Sequence, residues 1–227
     1  MASQVISDCL EALELVAKWE QAARGADDDL VRELLLEKVQ WECGEDVDAE
    51  AEVERTFEED YSPDQPAWKE FCGELARTRR DAIDTIVYES QCIGGLEAVE
   101  ALAKARQFAT EEQEERKLER AQQVVAIDFL SDIISEVARR RPQYSNKSIS
   151  RYWEFGNTKL RLSDHELPPT YSPSDIDITV GRLNPDTHYH LPVPYTTDQL
   201  LSLEREVREL IAKLLEREKQ EEDSEEE

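Results

Sequence analysis

Apolar residues recur at steps of three and four over much of the chain, which is the spacing of amphipathic helices. The pattern predicts a first helix that ends at Gly25, a second that follows the acidic residues 27–29 and ends at Gly44, and a third over residues 67–93. Residues 45–60 hold nine acids and few large apolar groups, so we expect a mobile helix or a linker there.

A long helical pattern follows Gly94 and Gly95 and continues to about Arg141. Its polar middle, residues 110–120, is expected either to project into solvent or to contain a bend. Residues 124–137 are apolar around more than half of the helix circumference, which predicts a central core helix or an oligomer seam.

Pro142 marks a change of character, because residues 143–195 carry six of the nine prolines and all three histidines. Residues 176–180 and 189–193 each alternate apolar and polar side chains, and the turn-forming residues 184–187 separate them. The pattern predicts a β-hairpin in which Asp175 and Asp177 lie on the polar side of the first strand.

The last predicted element is an amphipathic helix that begins at Thr196, with Gln199 as its capping-box partner. Beyond Leu215 the chain has no apolar residue, so a disordered acidic tail is expected. We therefore predict a mainly α protein: a helical bundle with a small β-hairpin and loop insertion and a C-terminal amphipathic helix, with an α+β fold as the alternative. The predicted regions are an acidic helical domain (1–142), a Pro-rich strand and loop region (143–195), the amphipathic helix (196–215) and the tail (216–227).

The composition is strongly acidic, with 53 Asp and Glu against 27 Lys and Arg and a formal net charge of −26. Such a field repels phosphate and anionic membranes, so direct nucleic-acid binding and membrane association are not expected. No apolar run is long enough for a membrane span, and the four cysteines form no C-x-x-C pair. We expect a soluble, cytoplasmic protein with reduced thiols.

One segment suggests an enzyme. Gly156 and Asn157, followed by residues 174–178 with Asp175 and Asp177, offer a phosphate-binding turn and two carboxylates for Mg²⁺. Over about 25 residues this resembles the signature of the nucleotidyltransferase fold. The segment departs from that pattern at Asn157, where the family has Ser, and in lacking a third carboxylate. We expect instead that both aspartates face water.

The histidines suggest a metal site. His188 and His190 would share one side of a strand, and with His165 they could meet at zinc or iron. If Tyr189 and Leu191 face the core, the two histidines simply face solvent. The cluster of Arg139, Arg140, Arg141, Lys147 and Arg151 could contact nucleic acid, but we expect it to neutralise a helix end and nearby acids. The column of Asp128, Asp132 and Glu136 could bind a cation, but we expect it to form a solvated helix edge.

No common catalytic motif occurs in the sequence, so we assign no catalytic residue, metal or cofactor. The favoured function is that of a non-enzymatic protein-interaction, scaffold or adaptor protein that self-associates or binds a protein partner. The alternatives are a divergent nucleotidyltransferase that uses Asp175 and Asp177, and an acidic nucleic-acid mimic that inhibits a DNA- or RNA-binding protein. The predicted partner-binding stripe is the heptad-spaced set Leu200, Leu203, Val207, Leu210 and Leu214.

Overall fold

A computed structural model describes residues 2–25, 28–43, 48–60, 66–145, 149–165, 173–181 and 187–225. Within these ranges the chain is mainly α with a small antiparallel sheet, which confirms the predicted fold class. The helices are α1 (Ala2–Gly25), α2 (Asp28–Cys43), α3 (Ala49–Asp60), α4 (Pro66–Ile93), α5 (Gly95–Arg106), α6 (Glu112–Ala138) and α7 (Thr197–Glu225). The strands are β1 (Gln143–Tyr144), β2 (Arg151–Phe155), β3 (Thr158–His165), β4 (Pro173–Val180) and β5 (Thr187–Pro192).

The chain divides into two compact units, a helical unit (residues 4–85) and a sheet unit (residues 1–3 and 86–227). The division falls inside α4, whereas the change in composition predicted a boundary at Pro142. The physical reason is that α6, which precedes Pro142, packs on β3 and β4, so this helix and the sheet share one core.

The core of the helical unit is formed by α1, α2, α3 and α4. The Trp19 and Phe71 rings meet edge to face with their centroids 5.0 Å apart. Residues 49–60 form a helix, α3, and bury Val53 in this core, so even a strongly acidic segment folds here. Glu20 and Arg79 form an ion pair within the unit.

In the sheet unit, α5, α6 and α7 pack together and α6 also supports the sheet. The predicted long helix is interrupted at residues 107–111, and α6 begins with a capping box in which Glu114 accepts a hydrogen bond from the Glu111 backbone at 3.2 Å. The predicted core helix is confirmed, since Val125, Ile127 and Ile134 are among its buried residues.

The sheet has the strand order β1-β2-β3-β4-β5, and every neighbouring pair is antiparallel. The predicted hairpin is confirmed as β4 and β5, which pair from Asp175 opposite Pro192 to Val180 opposite Thr187. Strands β2 and β3 were not predicted from the sequence. Gly156 at the turn between them adopts a φ of 54°, a conformation that glycine accepts without strain.

The last helix is longer than predicted, because α7 continues to Glu225 instead of ending near Leu215. Glu218 is held by Arg140 and by the Gly156 backbone N–H, the latter at 2.8 Å, so the acidic end of the helix has partners elsewhere in the unit. Arg217 and Glu221 add an ion pair at 3.1 Å along the helix.

Candidate functional site

The two faces of the sheet differ in chemistry. The face toward α6 is apolar and buries seven large side chains: Trp153, Phe155, Leu160, Leu162, Ile176, Ile178 and Val180. The opposite face carries two adjacent rows of polar residues across β3, β4 and β5. The strand register places Ser163, Asp177 and His190 in one row and Arg161, Thr179 and His188 in the next.

Asp177 lies at the centre of the polar face and is 0 % exposed. This burial corrects the prediction that its carboxylate faces water. Asp177 lies on an interior strand, and the Arg161 and His188 side chains from the two neighbouring strands contact its carboxylate. The Arg161 guanidinium, itself buried, donates a hydrogen bond of 2.8 Å to Asp177 Oδ2 and another of 2.9 Å to the His165 carbonyl. A buried carboxylate needs such a partner, because removing an unpaired charge from water is costly. The Asp175 side chain lies outside the described residues.

The second oxygen of Asp177, Oδ1, contacts His188 Nε2. His188 and His190 lie on the same side of β5, as the sequence predicted, and both are exposed. Their ring centroids are 6.1 Å apart. One nitrogen from each ring and one oxygen of Asp177 all lie within 4.8 Å of one another. The buried Asp177 carboxylate and the two exposed imidazoles therefore lie close together at the surface of the sheet.

His165 does not join that group of three. It ends β3, where its Nδ1 lies 2.7 Å from Asp164 Oδ1 and 3.1 Å from Ser163 Oγ. Burial opposes ionisation of Asp164, but its bonds with His165 and Arg120 outweigh that effect and lower the pKa of this carboxyl. The three imidazoles that the sequence allowed to meet therefore do not do so, and the group consists of two imidazoles and a carboxylate.

Two further residues of the polar face, Arg161 and Thr179, were not identified from the sequence. Thr179 is 1 % exposed, and its Oγ1 has no hydrogen-bond partner among the described residues. Arg161 lies in β3, where Leu160 and Leu162 alternate with polar residues. That alternation predicts a strand, and such a strand beside the predicted hairpin would have placed Arg161 next to it.

The parts of the nucleotidyltransferase-like segment do not lie together. The turn at Gly156 precedes Thr158, the first residue of β3, whereas Asp177 pairs with Ser163. Five residues of strand span roughly 17 Å. The Gly156 N–H, which would have bound phosphate, instead donates to Glu218 Oε1 at 2.8 Å.

Two members of the basic cluster, Arg140 and Arg151, pair with acids, as the sequence predicted. Arg139 ends α6 in a left-handed conformation, and Arg140 pairs with Glu218. This pairing raises the pKa of Arg140 and lowers that of Glu218. Arg151 pairs with Asp128, which lies on the half-exposed edge of α6. Lys147 lies outside the described residues.

The predicted partner-binding stripe is buried in the chain itself. Its five members, Leu200, Leu203, Val207, Leu210 and Leu214, are each 7 % exposed or less. They belong to α7, which packs on α5, α6 and β2. The apolar surface that suggested a partner is therefore already covered within the sheet unit.

An apolar groove of about 600 Å³ lies in the helical unit, between α1, α2 and α4. Its lining combines seven apolar residues with Glu37, Lys38 and Thr78; the apolar ones are Ala12, Leu15, Val16, Trp19, Leu34, Phe71 and Leu75. Leu15 is 47 % exposed, which is unusual for a leucine that has apolar neighbours on the same surface. The helical unit thus presents an open apolar surface that the sequence patterns did not distinguish from core.

Comparison with known proteins gives no guide to the role of either surface, because no family model, curated protein or solved structure matches the chain. None of the described helices combines the length and the apolar character needed to cross a membrane.

Proposed function

We propose that this chain is a non-enzymatic interaction protein whose α1/α2/α4 groove binds an amphipathic helix of a basic protein partner. The observation that carries the proposal is the open apolar groove of about 600 Å³. Helix-in-groove binding requires such a surface, because the partner's apolar side chains at i, i+3, i+4 and i+7 must leave water together.

The groove has the composition of an energetically useful binding surface. Trp19 and Phe71 provide large, rigid aromatic walls, and aromatic residues contribute disproportionately to protein–protein affinity. Leu15, exposed at the surface of α1, offers an apolar contact that costs the unbound protein free energy while it faces water. A bound helix would cover this side chain and recover that free energy.

The preferred charge of the partner follows from the acids around the groove. Glu11 and Glu14 are exposed on α1 beside Leu15, while Glu37 and Lys38 both line the groove and offset one another. Together with the net charge of −26, these carboxylates favour a partner helix flanked by Lys and Arg. The same field opposes nucleic acid as the occupant.

The test uses synthetic amphipathic helical peptides with one apolar face and with either basic or acidic flanking residues. Binding to the full chain is followed by nuclear magnetic resonance shifts of the Leu15 methyl groups and the Trp19 indole. We expect the basic peptide to bind and the acidic peptide to bind at least about tenfold more weakly, as charge complementarity requires. A contrary result would be an apolar small molecule that shifts the Leu15 and Trp19 signals without displacing either peptide. The groove would then be a small-molecule pocket, and the peptides would bind elsewhere.

Leu15→Asp tests whether the peptide occupies the groove, and Val5→Asp is its matched control. Both residues are exposed on α1, but only Leu15 lines the groove. Leu15→Asp is expected to weaken binding of the basic peptide by about tenfold or more, while Val5→Asp leaves it unchanged. Equal effects of the two substitutions, or no binding of either peptide, would exclude the groove as the partner site.

A further inference from the structure

We propose that Asp177, His188 and His190 form a binding site for one divalent transition-metal ion, with Zn²⁺ as the ion that fits the donors best. This site lies in the sheet unit and is independent of the groove proposed above. Two imidazoles and one carboxylate are a donor set that binds zinc and other first-row metals in proteins.

The positions of the donors follow from the strand register. His190 lies directly opposite Asp177 across β4 and β5, and His188 lies two residues before His190 on the same face. The three donor atoms lie within 4.8 Å of one another. Ligand atoms around an ion at about 2.0–2.2 Å stand roughly 3–4 Å apart, so small rotations of the exposed imidazoles suffice to bring all three onto one ion.

Arg161 holds the carboxylate in the orientation that a metal site requires. Its hydrogen bond engages Asp177 Oδ2, which leaves Oδ1 directed toward His188. Carboxylate ligands in metal sites are commonly fixed by such an outer hydrogen bond. The ion would take the place of the hydrogen between Asp177 Oδ1 and His188 Nε2, because a neutral imidazole can carry that hydrogen on Nδ1 instead. The guanidinium charge opposes a cation, whereas the acidity of the whole chain favours one.

A second observation at the same place points to a ligand. Thr179 faces His188 across the strand pair and lies two residues from Asp177 on the same face. Its buried hydroxyl has no hydrogen-bond partner among the described residues, which is unfavourable in a protein interior. Three protein ligands leave a coordination position for water, and a bound water is a suitable partner for this hydroxyl. Since the His188 side chain is 43 % exposed, solvent can reach that position.

The test is calorimetric titration of Zn²⁺ into the metal-stripped full chain, with millimolar Mg²⁺ present to occupy weak surface carboxylate sites. We expect one Zn²⁺ per chain. His188→Gln and His190→Gln should each weaken Zn²⁺ binding by at least about tenfold. That is the minimum expected, because replacing a residue that only hydrogen-bonds to a metal ligand already lowers metal affinity by about tenfold or more. His165→Gln is the matched control, because His165 is in the same sheet but outside the cluster.

Several results would overturn the proposal. These are equal Zn²⁺ affinity in all four proteins, no binding in the presence of Mg²⁺, and loss of binding when the thiols are alkylated. Circular dichroism of the metal-stripped variants checks their fold, which we expect to persist because both replaced side chains are exposed.

Thr179→Val provides a separate readout of the water position. It is expected to raise the Tm of the metal-free protein, because it removes an unpartnered buried hydroxyl, and to weaken Zn²⁺ binding. A lower metal-free Tm together with unchanged Zn²⁺ affinity would remove the second observation and, with it, the proposed site.

Discussion

The buried pair of Arg161 and Asp177 gives the sharpest prediction about stability. Replacing Arg161 by Met removes the guanidinium but keeps an unbranched apolar side chain in place of the Arg161 methylene stem. The Asp177 carboxylate, 0 % exposed, then loses its charged partner, and the His165 carbonyl loses a hydrogen bond. Breaking a buried pair from one side costs about 3–5 kcal/mol, because the remaining charge stays out of water. For a domain of this size, we expect Tm to fall by roughly 6–20 °C.

Lys159→Met is the matched control for this substitution. Lys159 lies two residues before Arg161 on the same face of β3, and it pairs with Glu154 at 2.6 Å. Both side chains of that pair are 47 % exposed, so solvent screens the interaction and its loss should lower stability far less than Arg161→Met does. Urea unfolding, followed by circular dichroism, measures the free energy of unfolding of both variants.

A double substitution separates pairing from packing. Arg161→Met combined with Asp177→Leu removes both charges, so it should cost less than Arg161→Met alone. Equal losses for Arg161→Met and Lys159→Met would refute the reasoning, since the buried carboxylate would then have no need of its guanidinium partner.

Three further predictions concern other parts of the chain. Hydrogen bonds from Arg140 lower the pKa of Glu218; burial opposes this shift and the Gly156 N–H adds to it. The ionised Glu218 side chain therefore stabilises the fold above the carboxyl pKa of the unfolded chain, and this stabilisation is lost as pH falls through the lower pKa of the folded protein. Urea titrations between about pH 6 and pH 3 should therefore show a smaller loss of stability for Glu218→Gln than for the unmodified protein; parallel losses would contradict this. Leu203→Asp should destabilise the sheet unit by about 3 kcal/mol or more, because it places an unpaired charge in a buried position; full stability with loss of a partner would restore the predicted binding stripe. Burial, with Glu20 nearby, raises the pKa of the Cys72 thiol, whereas Cys92 is exposed, so mass spectrometry should find Cys92 alkylated first at neutral pH; faster modification of Cys72 would exclude the described packing.

The sequence by itself determined α1, α2, α4 and the hairpin. Breaks at Gly25 and Gly94, together with three- and four-residue apolar steps, are local signals that act within a few residues. Alternation over residues 176–180 and 189–193 likewise predicted β4 and β5. The length of α7 was not predictable in this way, because Glu218 is held by Arg140 and Gly156, which are distant in sequence.

Only the tertiary structure decided which polar residues are buried. Alternation placed Asp177 on the polar side of its strand, but whether that side meets water depends on the number of neighbouring strands and on what covers them. Once β3 pairs with β4, Arg161 and Asp177 form a buried ion pair and Thr179 is enclosed beside His188. The same limit applies to the apolar stripes, since periodicity marks an apolar side of a helix without stating its partner. That is why the α7 stripe is core, while the groove beside Leu15 is open.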